Sequence, residues 1–175
     1  LNTWRIDQVG LQVPASPPPP PPDDGVSPLV EDDLSSYFSV GGWGSGSLRV
    51  VASDDSSTKY SGVDALRMEV TTGGSVMQPL IQHAYSPAED WSDANGLYLY
   101  FYGRGTGEEF AFHIWGVGWH HVWNFIDDQA NVWVLKVFDL SDVVGGDLSR
   151  VERIALVFPY NSPLNTWRID QVGLQ

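Results

Sequence analysis

Residues 96–126 read GLYLYFYGRGTGEEFAFHIWGVGWHHVWNFI. Two apolar runs are split by a Gly-rich turn, and a third follows another Gly pair. In 96–102, Leu97, Leu99 and Phe101 alternate with Tyr98, Tyr100 and Tyr102; in 109–117, Phe110, Phe112 and Ile114 alternate with Ala111, His113 and Trp115. Period-two alternation belongs to extended strands, each set lying on one face. The Phe and aliphatic set is the core candidate. The other set, with ring faces plus hydroxyl, imidazole and indole groups, suits a surface that is apolar yet wet. The third run offers either His121, Trp123 and Phe125 or Val122, Asn124 and Ile126, and alternation does not choose between them.

Working outward, the same grammar recurs. Strands are expected at 29–34, 48–53, 65–71, 76–84, 132–138, 153–158 and 167–174, with a Gly/Ser-rich loop carrying Trp43 at 38–47 and a polar turn at 54–61. Eight Trp, seven Tyr and seven Phe are punctuated by 18 Gly and 12 Pro, and no stretch carries a helical stripe. The fold class is all-β, an antiparallel β-sandwich or jelly roll. Lys and Arg number 9 against 22 Asp and Glu, a net charge of −13, which disfavours nucleic acid, anionic lipid and polyanionic partners. Without cysteine, neither disulfides nor thiolate metal sites support the fold. No apolar run is long enough to span a bilayer.

LNTWRIDQVGLQ occurs twice, at 1–12 and at 164–175. The reading is a tandem array: residues 1–12 end a preceding copy, 13–28 form a linker whose six prolines favour a polyproline II spacer, and 29–175 are the module. Residues 1–12 could also enter the equivalent slot of a neighbouring molecule by strand swapping.

A sugar ring offers a flat C–H patch and a rim of hydroxyls, which aromatic faces and polar side chains match. Tyr98, Tyr100, Tyr102, His113, Trp115, Trp119 and Trp123 are the stacking candidates; Asn124, Asp127, Gln129, Arg104 and Arg153 are the polar ones. His120 and His121 are adjacent, so as strand residues they point apart and do not chelate one ion, and no zinc-type spacing is present. A two-carboxylate glycosidase is disfavoured, because Glu108–Glu109 and Asp127–Asp128 are sequence neighbours. Calcium has a better case: Glu31 and Asp32 lie on the opening strand and Asp170 within the closing one. Alternation alone would also let Asp170 face water on an edge strand.

The runs EEFAFHIWGVGWHHVWNFIDDQANVWVLKVFDLSDV, DLSRVERIALVFPYN and NTWRIDQVGL, with LVEDDLSSY and GLYLYFYGRGTG upstream, resemble non-catalytic carbohydrate-binding modules of family eleven and its relatives. The resemblance implies a jelly roll whose concave face holds a polysaccharide, β-glucan-like by preference, with agarose or mannan as alternatives. It implies attachment to a secreted bacterial glycoside hydrolase, no catalysis of its own, and a structural calcium with Glu31 and Asp170 in the acidic positions. The rival classes are a polysaccharide-active enzyme domain and an adhesion or protein-interaction sandwich.

Overall fold

The computed structural model describes residues 27–175. The expectations for residues 1–12 and for most of the 13–28 linker lie outside these residues. Ten strands follow in order: β1 (Ser27–Val30), β2 (Ser39–Asp55), β3 (Ala65–Thr72), β4 (Val76–Glu89), β5 (Gly96–Arg104), β6 (Glu109–Gly116), β7 (Trp119–Ile126), β8 (Ala130–Asp139), β9 (Val151–Val157) and β10 (Thr166–Leu174). One helical turn, α1 (Leu34–Tyr37), precedes β2. All pairings are antiparallel, in the order β7-β6-β9-β4-β2-β3-β10-β5-β8, with β1 added beside β10.

β2 makes a sandwich of this path. Its residues 39–48 pair with β4, its residues 48–55 pair with β3, and the register shifts between Trp43 and Leu48. One strand thus serves both layers. The Gly/Ser-rich stretch expected as a loop is therefore strand, and the glycines are the reason. A Cβ on Gly42 would sit 2.6 Å from the Val76 side chain and 2.8 Å from the Gln78 carbonyl, so only glycine lets β2 approach β4 this closely.

The layers close on a buried core in which Phe110, Phe112, Ile114, Ile154 and Leu156 meet Leu97, Leu99, Phe101, Trp167 and Ile169. Ring pairs cross between layers, Phe101–Phe110 at 5.1 Å and Phe110–Trp167 at 5.3 Å between centroids. The Phe and aliphatic sets of β5 and β6 are thus inside, as their alternation indicates. At one margin β1 lies against the end of β10, with Ser27 beside Leu174.

Candidate functional site

Because Phe110, Phe112 and Ile114 fill the core, Ala111, His113 and Trp115 point outward from the layer β7-β6-β9-β4-β2. Register fixes their neighbours. Trp115 lies between His120 on β7 and Arg153 on β9; His113 lies between Val122 and Ala155; Ala111 lies between Asn124 and Val157. On β4, Gln82 stands next to Ala155 and Leu80 next to Val157. Leu80, Ala155 and Val157 form a second apolar cluster on this outer face, packed by Ala111 and Trp115. Small apolar residues thus make a floor, with aromatic and polar groups standing around it. Trp43 rises at its far side, 41% exposed, its ring 5.3 Å from His113 and 6.4 Å from Trp115.

The rings do not lie flat. His120 stacks on Trp115 at 4.6 Å and 6°, and the Arg153 guanidinium sits 4.3 Å from the Trp115 ring. These partners come from strands on opposite sides of β6, so both faces of the indole are occupied and it offers its edge. His113 completes the group, with Nδ1 2.9 Å from Nε2 of His120. Burial, then His120, holds His113 down at a pKa of about 4; burial, then the Arg153 charge, also lowers His120. Both imidazoles are therefore neutral at pH 7.

An unfolded histidine titrates near 6.5, so the stability tied to His113 is fully present above that pH and is lost as pH falls toward 4. Asp170 works in the opposite sense, since burial pushes its carboxyl up to about 6 and a raised acid favours the fold on acidification. The difference between wild type and His113→Gln isolates the histidine. Thermal melts between pH 7 and pH 4.5 should show a steeper acid loss for wild type; parallel curves would mean that His113 is not held neutral by the fold.

The tyrosines of β5 are elsewhere. Tyr98, Tyr100 and Tyr102 point outward from the opposite layer, and Tyr98 and Tyr100 are 2% and 0% exposed. The 56–64 loop covers Tyr100: Tyr60 stacks on it at 3.6 Å and 13°. Tyr102, half-buried, packs 5.2 Å from Trp133 and near Arg168. Trp119 and Trp123 take the inner side of β7 and pack against the core. Trp119 covers Gly116 and Gly146, and the Trp123 indole N–H donates to Asp142 at 3.1 Å. His113, Trp115, Asn124 and Arg153 are the expected residues that share one face. Trp43 and His120, neither of them among the stacking and polar candidates, join them. The available signal for Trp43 was a tryptophan set among Gly and Ser, with no apolar neighbours to form a core.

Two buried carboxylates act as pins. Asp127 accepts from the N–H groups of Arg104 at 2.9 Å and Gly105 at 2.9 Å, the Thr106 hydroxyl at 2.9 Å and the Trp167 indole at 2.9 Å. Burial alone would raise its pKa, but these hydrogen bonds, Trp167 foremost, outweigh it and hold the carboxyl below its usual range. Arg104 itself bonds Asn131, so neither residue belongs to the Trp115 face.

Asp170 accepts from the N–H groups of Tyr60 at 2.7 Å, Ser61 at 3.1 Å and Gln171 at 2.8 Å, while Glu31 accepts from the Gln171 side chain at 3.1 Å. Calcium takes six to eight oxygens. Three N–H groups aimed at one carboxylate present dipoles of the wrong sign to a cation, so Glu31 and Asp170 fit a loop anchor better than a calcium cage. Elsewhere Asp33, Asp54 and Asp64 bring one oxygen each within 4.8 Å of one another. Ser35 already donates to Asp54, and the Asp33 N–H to Asp64.

Two depressions bear on the site. One of about 360 Å³, lined by Gln78, Glu109, Ala111, Asn124 and Tyr160 among others, continues the Trp115 face. A larger one of about 510 Å³ lies at one end of the sandwich by Asn95, Leu140 and Gln175 and has no aromatic lining.

The layer order defines an antiparallel jelly-roll fold that solved structures of carbohydrate-binding modules share. Solved structures sharing the fold include the family 11 carbohydrate-binding module from Clostridium thermocellum in complex with a β-1,3-1,4-mixed-linked tetrasaccharide. It has a TM-score of 0.66 and 16% identity, covering 86% of this chain and 95% of that one. A family 30 module of a Clostridium thermocellum cellulosomal cellulase gives 0.59 and 20%, covering 79% and 91%. An exo-β-agarase gives 0.59 and 14%, covering 85% of this chain and 25% of the agarase. The chain matches no family model and no curated protein.

Proposed function

We propose that this domain is a non-catalytic module that binds a single polysaccharide chain, β-linked with a predominantly neutral backbone, on the outer face of β7-β6-β9-β4-β2. One observation carries the reading: an exposed Trp43 and an upright Trp115 stand over the floor of Leu80, Ala155 and Val157, with amide, imidazole and guanidinium groups within the same register rows. The Trp43 ring supplies sugar C–H contact, the Trp115 edge bounds the floor, and Gln82, Asn124 and His113 supply partners for hydroxyls. A β-glucan is the favoured backbone. The tetrasaccharide held by the family 11 structure supports it, and the exo-β-agarase match keeps agarose as the second candidate. Delivery of a secreted glycoside hydrolase to its substrate is the role proposed for such binding.

Affinity electrophoresis against soluble β-glucan, agarose and mannan tests this. Retardation by at least one polymer is expected, and migration unaltered by all three would remove the proposal. Structural calcium is read by a thermal melt in chelator. With Glu31 and Asp170 serving as anchors, the midpoint should stay where it is; a fall would give calcium a place, with Asp54→Asn the first variant to make.

A further inference from the structure

We propose that the Arg153 end of this face is a subsite for one anionic group, a carboxylate or a sulfate, carried by the bound glycan; the inference rests on the reading of the face as glycan-binding. Among the described residues the other basic side chains are largely spoken for. Arg67, Lys136 and Arg168 sit on carboxylates at 2.6, 3.7 and 2.8 Å, Arg104 on Asn131, Arg49 on Thr71 and Lys59 on two backbone carbonyls. Arg150 is exposed to water. Arg153 is half-buried, and among the described residues its one partner is the Trp115 ring.

A guanidinium carries its five N–H donors in one plane. The indole offers π density but no lone pair, so the donors of Arg153 have no acceptor in the protein. That arrangement matches a carboxylate or sulfate, which accepts two parallel N–H bonds at once. The register neighbours of Arg153 are Trp115 and Ala84, so no carboxylate flanks it in its row. The histidines add a second donor. With both rings neutral and one donating across the 2.9 Å contact, the pair turns one further N–H and one lone pair outward, whichever tautomer it adopts.

The net charge of −13 sets the limit on the ligand. A densely charged polymer would be repelled by the remainder of the surface, whereas a neutral backbone with widely spaced acidic groups meets the local cation without that penalty. The ligand class is thus a sparsely acidic β-linked glycan.

The test compares matched polymers by affinity electrophoresis: a glucuronate-bearing β-xylan before and after carboxyl reduction, and a sparsely sulfated galactan before and after desulfation. Wild type should hold one acidic form at least about tenfold more tightly than its neutral counterpart, the value of a charge-assisted pair. Added salt should shrink that ratio. In Arg153→Met, with unchanged circular dichroism, the ratio should fall to one; which pair of polymers shows the effect tells carboxylate from sulfate. Equal retardation of acidic and neutral forms by wild type, or retardation by the neutral panel above with neither acidic polymer retained, would overturn the subsite and leave the glycan-binding face standing. Retardation by neither form of either polymer, nor by the neutral panel above, would overturn both.

Discussion

Asp127→Ala should lower the melting temperature by on the order of 10 °C. The carboxylate is 1% exposed and gathers three kinds of donor: the backbone of the Gly-rich turn after β5, the Thr106 hydroxyl and the indole of Trp167 in β10. Truncation leaves those donors buried without an acceptor, at a cost of about 3 kcal/mol or more. In a domain of this size each kcal/mol moves the midpoint by about 2–4 °C. Because the folded pKa is depressed, this stabilisation is present above the ordinary carboxylate value of about 3.9 and is lost only as pH falls below it. Asp127→Asn keeps one acceptor oxygen and should recover part of the loss at neutral pH. Thermal melts of the three proteins check this, and a midpoint unchanged in the alanine variant would mean that the turn and Trp167 are held by something else.

The second large effect separates two aromatic residues. Trp43→Ala should weaken polysaccharide binding by about thirtyfold or more, the usual scale for removing an anchoring tryptophan, with the melt little changed. Its ring is partly in solvent and stands over the outer-face floor rather than in the core. Tyr100→Ala should do the reverse. It empties space beneath the stacked Tyr60 ring, so about 3 kcal/mol of stability goes while the glycan face, on the other layer, is untouched. Calorimetric titration beside thermal melts reads both; binding loss in Tyr100→Ala without a lower midpoint would move the site to the opposite layer.

The same contrast explains what was legible in the sequence. Alternation in 96–102 and 109–117 correctly separates Leu97, Leu99 and Phe101 from the tyrosines, and Phe112 from His113, because a core of large apolar side chains imposes a strict period of two. Period two says which side of its own strand a residue takes. It is silent on which layer that strand joins and on what covers the outer side. Tyr100 and Trp115 are therefore equivalent in pattern, yet the 56–64 loop seals one and leaves the other in the groove face. The β6–β7 hairpin sets His120 beside Trp115 locally, but Arg153 reaches the other side of that ring only through the long-range β6–β9 register. Asp170 shows the converse case. A carboxylate in an apolar strand announces that something must satisfy it, but the partner turned out to be backbone N–H groups 109 and 110 residues away.

β1 is four residues long and lies antiparallel to the end of β10, with Ser27 opposite Leu174. Tension applied between the two flanks of the domain therefore loads this pair end-on, in a peeling geometry that ruptures its few hydrogen bonds one after another. Under such a load the domain would shed β1 first, a compliant spring at the margin, before the strands that carry Trp43 and Trp115 gave way.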